Sequence, residues 1–178
     1  MDSGPIHYLA FGSNMHPLRL QERVPSARLL GPVTLTGYRL AFHKLGGDGS
    51  GKGNLVHTGA EADRAIGALY RMAGTEKPAL DAAEGAGYRD AAMTVPFASE
   101  SVEALVYIAE AAYVDPQLRP YRWYRDIVWY GAHYLGAPAD YLATIAAVPA
   151  ITDPDPERRA DNWARLERIR TYEAAASP

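Results

Sequence analysis

A chain of 178 residues is long enough to bury one full core and falls within the usual size of a single domain. Its 48% hydrophobic and 22% charged residues exclude a disordered or fibrous chain, and a net charge of −3 excludes the basic field that draws nucleic acid. No apolar run approaches the ~20 residues that span a bilayer, no leader pattern opens the chain, and the lack of cysteine removes disulfides and a thiol nucleophile, so a cytoplasmic protein is expected.

Ile6 to Phe11 is rich in β-formers and runs into Gly12-Ser13-Asn14, which reads as a buried strand ending in a tight loop. A helix follows, with Pro17 at its first position and Leu18, Leu20 and Val24 as apolar contacts. Ala27 to Val33 and Tyr38 to Leu45 read as strands separated by Gly31-Pro32 and Gly37. Gly46 to Gly53 reads as a flexible loop, followed by short strands at Asn54 to His57 and Ala65 to Met72. Thr75 is placed to cap a short helix that runs to Glu84 and is stopped by Gly85 and Gly87. Ala91 to Phe97 and Val102 to Ala109 are the next strands, the second apolar nearly throughout and so expected inside the sheet.

Arg119 to Leu135 carries Tyr124, Ile127, Val128, Gly131, Tyr134 and Leu135 at three- and four-residue spacing, the pattern of a helix with one buried stripe. Pro138 and Pro149 bracket a second helix over Ala139 to Val148. Asp153-Pro154-Asp155-Pro156 breaks the chain, and Asn162 to Tyr172 reads as a charged helix with Trp163, Leu166 and Ile169 on one side. Strands first and helices last, without regular alternation, predict the α+β class.

Several chemistries can be set aside on residue types. Gly46 to Lys52 has the glycine and lysine spacing of a phosphate loop, but Gly53 stands where a magnesium-binding hydroxyl belongs and a strand follows instead of a helix. The five histidines form no pair at ligand spacing, so no metal and no cofactor is expected. No Gly-x-Ser-x-Gly elbow occurs. The loop Gly12-Ser13-Asn14 remains, where small residues let backbone amides face an oxyanion or carboxylate; the bland alternative is an ordinary turn. Glu84 at a helix end beside two glycines is either a solvated surface carboxylate or one left facing a cleft by the sharp turn.

The run Tyr8-Leu9-Ala10-Phe11-Gly12-Ser13-Asn14-Met15, with Pro25-Ser26-Ala27 after it, resembles the amino-terminal signature of γ-glutamylcyclotransferases. Leu80-Asp81-Ala82-Ala83-Glu84-Gly85 followed by Tyr88 is similar to that family's catalytic segment, and Tyr124 through Gly131-Ala132 to Tyr141 to its carboxy-terminal helices. The resemblance implies a small mixed β-barrel flanked by helices, with residues 1–150 as the catalytic domain and 151–178 as a charged C-terminal helix and tail. It implies that Glu84 is the acid-base residue, and that Tyr8, Phe11, Gly12, Ser13, Asn14, Met15, Tyr88, Tyr107 and Tyr124 surround a γ-glutamyl substrate. Phe11 stands where many relatives carry tyrosine, so any duty of that hydroxyl is lost. The implied reaction closes a γ-glutamyl amino acid or amine to 5-oxoproline in a monomer or homodimer, without nucleic acid, membrane or cofactor. Removal of a γ-glutamyl protecting group from a biosynthetic intermediate, or non-catalytic ligand or protein binding on the same fold, are the alternatives.

Overall fold

The order of strands follows from which of them are apolar on both faces. In the computed structural model, which describes residues 4–176, strand β1 (Pro5–Ala10) buries Tyr8, Leu9 and Ala10 in succession and so takes the middle of a five-stranded sheet. On one side β1 pairs antiparallel with β5 (Arg64–Ala73), Tyr8 opposite Tyr70, and β5 pairs with β2 (Arg28–Thr36). On the other side Tyr8 meets Leu105 of β7 (Glu100–Ala109) in parallel, and β7 pairs with β6 (Tyr88–Phe97) at the edge. β3 (Tyr38–Leu45) and β4 (Gly51–His57) form a separate antiparallel ribbon. The sheet curls until Phe97 of β6 reaches Gly31 of β2, where its ring lies 3.1 Å from the place a Cβ would occupy. The architecture is the expected α+β one, although hydrogen bonds do not close the sheet into a barrel.

Two apolar layers result. Leu9, Phe11, Val33, Leu35, Leu55, Leu69, Val95 and Val106 pack within the curl. Tyr8, Ala10, Tyr70, Met72 and Leu80 pack on the other face with α3 (Arg122–Tyr134), α4 (Ala139–Ala146) and α5 (Pro156–Ala176). Gly131 on α3 lets the helix approach Met15, since a Cβ there would stand 2.8 Å from the Met15 Cβ. Among the described residues no helix is long and apolar enough to cross a membrane.

Element boundaries depart from the sequence reading where pairing outweighs local propensity. β4 begins at Gly51, because Gly51 and Lys52 pair with Leu45 and Lys44 despite the poor strand preference of glycine, which shortens the expected loop. Likewise β6 begins at Tyr88, opposite Ala109. Thr75 does not cap: it lies in a 3₁₀ turn at Gly74–Glu76, and α2 (Lys77–Glu84) starts without a side-chain cap. α5 begins at Pro156 because the Asp155 carboxylate accepts from the amides of Glu157 and Arg158, each at 3.0 Å. Within α5, Leu166 and Ile169 are buried, whereas Trp163, expected on the same side, is 42% exposed, because the buried stripe continues four residues before Leu166 to Asn162 and not three residues before it to Trp163.

Just before α5 the chain is tied down. The buried Asp153 carboxylate accepts from Trp123 Nε1 on α3 at 2.9 Å and from Arg158 Nε and Nη2 at 2.8 and 2.6 Å.

Candidate active site

Glu84 is the last residue of α2, and two glycines decide where its side chain ends up. Gly85 has φ +73, a left-handed conformation that ends the helix. Gly87 has φ +88 and sits so close to Tyr113 that a Cβ would fall 2.4 Å from its ring. The chain can therefore turn directly from α2 into β6, leaving the half-buried Glu84 side chain beside the end of β1.

Two buried side chains from that strand and its loop hold Glu84. Asn14 Nδ2 donates to Glu84 Oε1 at 2.8 Å, and the Tyr8 hydroxyl donates to the same oxygen at 3.1 Å. Asn14 Nδ2 also approaches the Tyr8 oxygen at 3.2 Å, while Arg23 Nη1 donates to Asn14 Oδ1 at 3.0 Å. Arg23 thus fixes the Asn14 amide with its N–H groups toward the carboxylate. Both bonds to Glu84 fall on Oε1, so among the described residues Oε2 is the oxygen left for an incoming proton. Burial pushes the Glu84 pKa above the ordinary carboxylate value; the charges of Arg23 and Lys44 and the bonds from Tyr8 and Asn14 only partly offset it.

Of the residues nominated from sequence, all but Met15 line one small chamber of about 20 Å³, room for roughly one water. Tyr8, Phe11, Gly12, Ser13 and Asn14 form one wall, and Glu84, Tyr88, Tyr107 and Tyr124 the others. Met15 is fully buried and packs on Gly131, away from the chamber, with its carbonyl accepting from Tyr70 at 2.7 Å. The chamber opens past Ser13, Glu84, Tyr88 and Tyr124 into an outer cleft of about 520 Å³.

Three tyrosine hydroxyls build the walls without touching Glu84. Tyr124 accepts from the Gly53 amide at 3.0 Å and Tyr88 donates to the Gly53 carbonyl at 2.5 Å, so the ribbon strand β4 is clamped at the chamber. Tyr107 donates to Asp81 Oδ1, one turn before Glu84 on α2, and its ring meets that of Tyr8 edge-on at 6.0 Å. Burial, ahead of every other cause, raises the pKa of all four tyrosines, which keeps them neutral donors.

Sequence reasoning missed Arg23, Lys44, Lys52 and Gly53. Lys44 is 2% exposed, donates to the Ala86 carbonyl at 2.6 Å and lies 4.3 Å from the centre of the Tyr88 ring. Lys52 pairs with Asp48 at 2.7 Å and stands 4.6 Å over the Tyr124 ring. For Lys44 a signal existed: it shares a strand face with the apolar Phe42 two residues earlier, which marks it as inward-facing. Gly53 had none, because a glycine in a glycine-rich run carries no pattern.

Residues 64–145 match the AIG2-like family. No curated protein matches the chain by sequence. Among solved structures, a γ-glutamyl cyclotransferase superposes with a TM-score of 0.78 at 19% identity, over 92% of this chain and 99% of that one. An uncharacterized protein from Homo sapiens gives 0.75 at 22% identity, over 88% and 96%. YkqA from Bacillus subtilis gives 0.65 at 19% identity, over 83% of this chain and 56% of its own length. Identities this low establish the fold alone: the chain has the γ-glutamyl cyclotransferase-like fold, and residues 64–145 of it are similar to the AIG2-like family.

Proposed function

We propose that the chain is a γ-glutamylcyclotransferase-type enzyme that converts a γ-glutamyl amino acid or amine to 5-oxoproline and the free amine, with Glu84 as general base and then general acid. The observation that carries this reading is the half-buried Glu84, whose pKa burial raises while Tyr8 and Asn14 fix one of its oxygens and leave the other open. A carboxyl group tuned in this way can both accept and return a proton near neutral pH.

The nucleophile is the substrate's own α-amino group. Glu84 Oε2 takes a proton from the ammonium, the freed amine attacks the γ-carbonyl carbon, and its π electrons move onto the oxygen. As the oxyanion's electrons re-form the carbonyl, the bond to the leaving nitrogen breaks, protonated Glu84 supplies that nitrogen with its proton, and the second proton of the ring nitrogen passes to the released amine, which departs as an ammonium. The lactam leaves too, and Glu84 is again a carboxylate. Ring closure is intramolecular, so the protein's task is to hold the glutamyl chain bent and to stabilise the developing oxyanion. Backbone N–H groups of Gly12 and Ser13 at the chamber wall serve that charge. The chamber alone is too small for a glutamyl chain, so the substrate reaches Glu84 from the outer cleft, past Tyr88 and Tyr124.

The test is incubation with a panel of γ-glutamyl amino acids and amines, with 5-oxoproline measured by mass spectrometry. The wild type should form product, and Glu84→Gln, which keeps size but cannot carry the proton, should lose about 100-fold or more. Equal turnover by both proteins removes Glu84 from the mechanism.

A further inference from the structure

Asn54 is 6% exposed, and both polar atoms of its side chain are engaged. Its Oδ1 accepts from the Ala109 amide at the end of β7 at 2.9 Å, and its Nδ2 lies 2.9 Å from His43 Nε2 on β3. One carboxamide on β4 thus joins three strands, two of the ribbon and one of the five-stranded sheet, which belong to separate sheets.

Its place in the chain gives this bridge a use. The Gly53 carbonyl belongs to the Gly53–Asn54 peptide unit, a rigid plane whose direction depends on where Asn54 is held. That carbonyl accepts from Tyr88 at 2.5 Å, and the Gly53 amide donates to Tyr124 at 3.0 Å. Both tyrosines stand where the chamber opens into the outer cleft. Across the ribbon the ladder is irregular at this point: Ala41 pairs with Asn54 and Lys44 with Lys52, so Phe42 and His43 together oppose Gly53. Such a bulge interrupts regular pairing, and the Asn54 side chain spans it by bonding to His43 itself.

The same bonds decide the state of His43. The Ala109 N–H can donate only to the oxygen of the Asn54 carboxamide, so Nδ2, a donor, faces His43. Nε2 is then an acceptor, and the ring is neutral with its proton on Nδ1. Burial first, and then Arg39 on the same strand, hold the His43 pKa below the ordinary 6.5. Arg119 lines the same surface groove and adds positive charge, while Asp115, whose amide donates to the His43 carbonyl, turns its carboxylate to the Gln117 amide.

We propose that Asn54 is a positioning residue for the reaction at Glu84: by tying β3, β4 and β7 together it holds the Gly53 peptide that seats the hydroxyls of Tyr88 and Tyr124. Asn54 does not line the chamber, so it acts through Gly53. Its effect on turnover rests on the cyclotransferase reading; its effect on His43 does not.

The experiment begins with nitrogen-15 NMR of the histidine rings, with His43→Gln to assign the signals. In the wild type His43 should be the Nδ1–H tautomer and titrate below 6.5. Asn54→Asp keeps one oxygen for Ala109 and turns the other to Nε2, so the bond returns only when His43 gains a proton, and its pKa should rise above 6.5. Turnover is then measured on a γ-glutamyl compound that the wild type converts, with circular dichroism to verify folding. Asn54→Leu, which removes both bonds, should lose about tenfold or more in kcat/KM. For Asn54→Asp, kcat/KM is taken as a ratio to the wild type, in which the titration of Glu84 cancels. That ratio should stay near unity while His43 is protonated and fall as pH rises through its new pKa. A folded Asn54→Leu with wild-type kcat/KM, a ratio for Asn54→Asp that is flat with pH, or a wild-type His43 with its proton on Nε2 overturns the proposal while the cyclotransferase reading stands. If Asn54→Leu does not fold, the pH dependence of Asn54→Asp decides alone. No 5-oxoproline from the wild type with any γ-glutamyl compound overturns that reading and the positioning role with it, whatever the state of His43.

Discussion

Asn14→Leu offers a direct test of how Glu84 is held. Leucine fills nearly the same space as asparagine but removes three bonds: the donation to Glu84 Oε1 at 2.8 Å, the contact with the Tyr8 oxygen at 3.2 Å, and the acceptor for Arg23 at 3.0 Å. The Asn14 bond is among those that favour the ionised carboxylate, so its loss moves the already raised Glu84 pKa further up. A hydrogen bond to a charged group contributes about 1.5–3 kcal/mol, which corresponds to a loss of roughly 10- to 100-fold in kcat/KM on the acidic side of the profile. Because the base must be ionised to start the reaction, the acid limb of kcat/KM against pH should shift to higher pH. Initial rates of 5-oxoproline formation between pH 5 and 9, with circular dichroism to verify folding, make the measurement. A folded variant whose acid limb coincides with that of the wild type would refute the claim that Asn14 sets the ionisation of Glu84.

Two further outcomes concern stability. Burial raises the Glu84 pKa in the folded state, so ionising it costs stability; the cost is absent below the ordinary value of 4.5, grows as pH rises through the folded pKa, and is complete above it. Glu84→Gln keeps an acceptor for Tyr8 and Asn14 and cannot ionise, so thermal unfolding should show a higher Tm than wild type at pH 8 and no gain at pH 4; a lower Tm at pH 8 contradicts this. Asp153 has the opposite sign. Hydrogen bonds from Arg158, foremost, bring its pKa down to about 2, so its contribution is complete above the ordinary 3.8 and is lost as pH falls through about 2. Asp153→Ala strands the buried Trp123 Nε1 and should cost about 3 kcal/mol at pH 7, a Tm drop of roughly 6–12 °C, measured by calorimetry; a loss under about 1 kcal/mol would mean that α5 is held by Leu166 and Ile169 without this anchor.

The sequence by itself determined what depends on neighbours along the chain. The apolar stripe over residues 119–135, the strand entering Gly12-Ser13-Asn14, and the stop at Gly85 and Gly87 all follow from local spacing and φ preferences, so the α+β class and the position of Glu84 at a helix end could be read from it. The fold placed all but one of the nominated residues in one chamber, because Tyr8, Asn14 and Glu84 lie at the ends of elements that pack together around Leu80 and Tyr70. Met15 shows the limit: consecutive residues of a loop point in different directions, and only the approach of α3 through Gly131 decides that this side chain enters the core. Arg23, Lys44, Lys52 and Gly53 belong to a different order of information. They come to Glu84 from the end of α1 (Pro17–Gln21) and from the β3–β4 ribbon, across 30 to 60 residues of chain, and no local pattern encodes that distance. Their arrival is set by strand register and by the clamp of Tyr88 and Tyr124 on Gly53, so the charge of the cleft, unlike the position of its carboxylate, is a property of the tertiary structure alone.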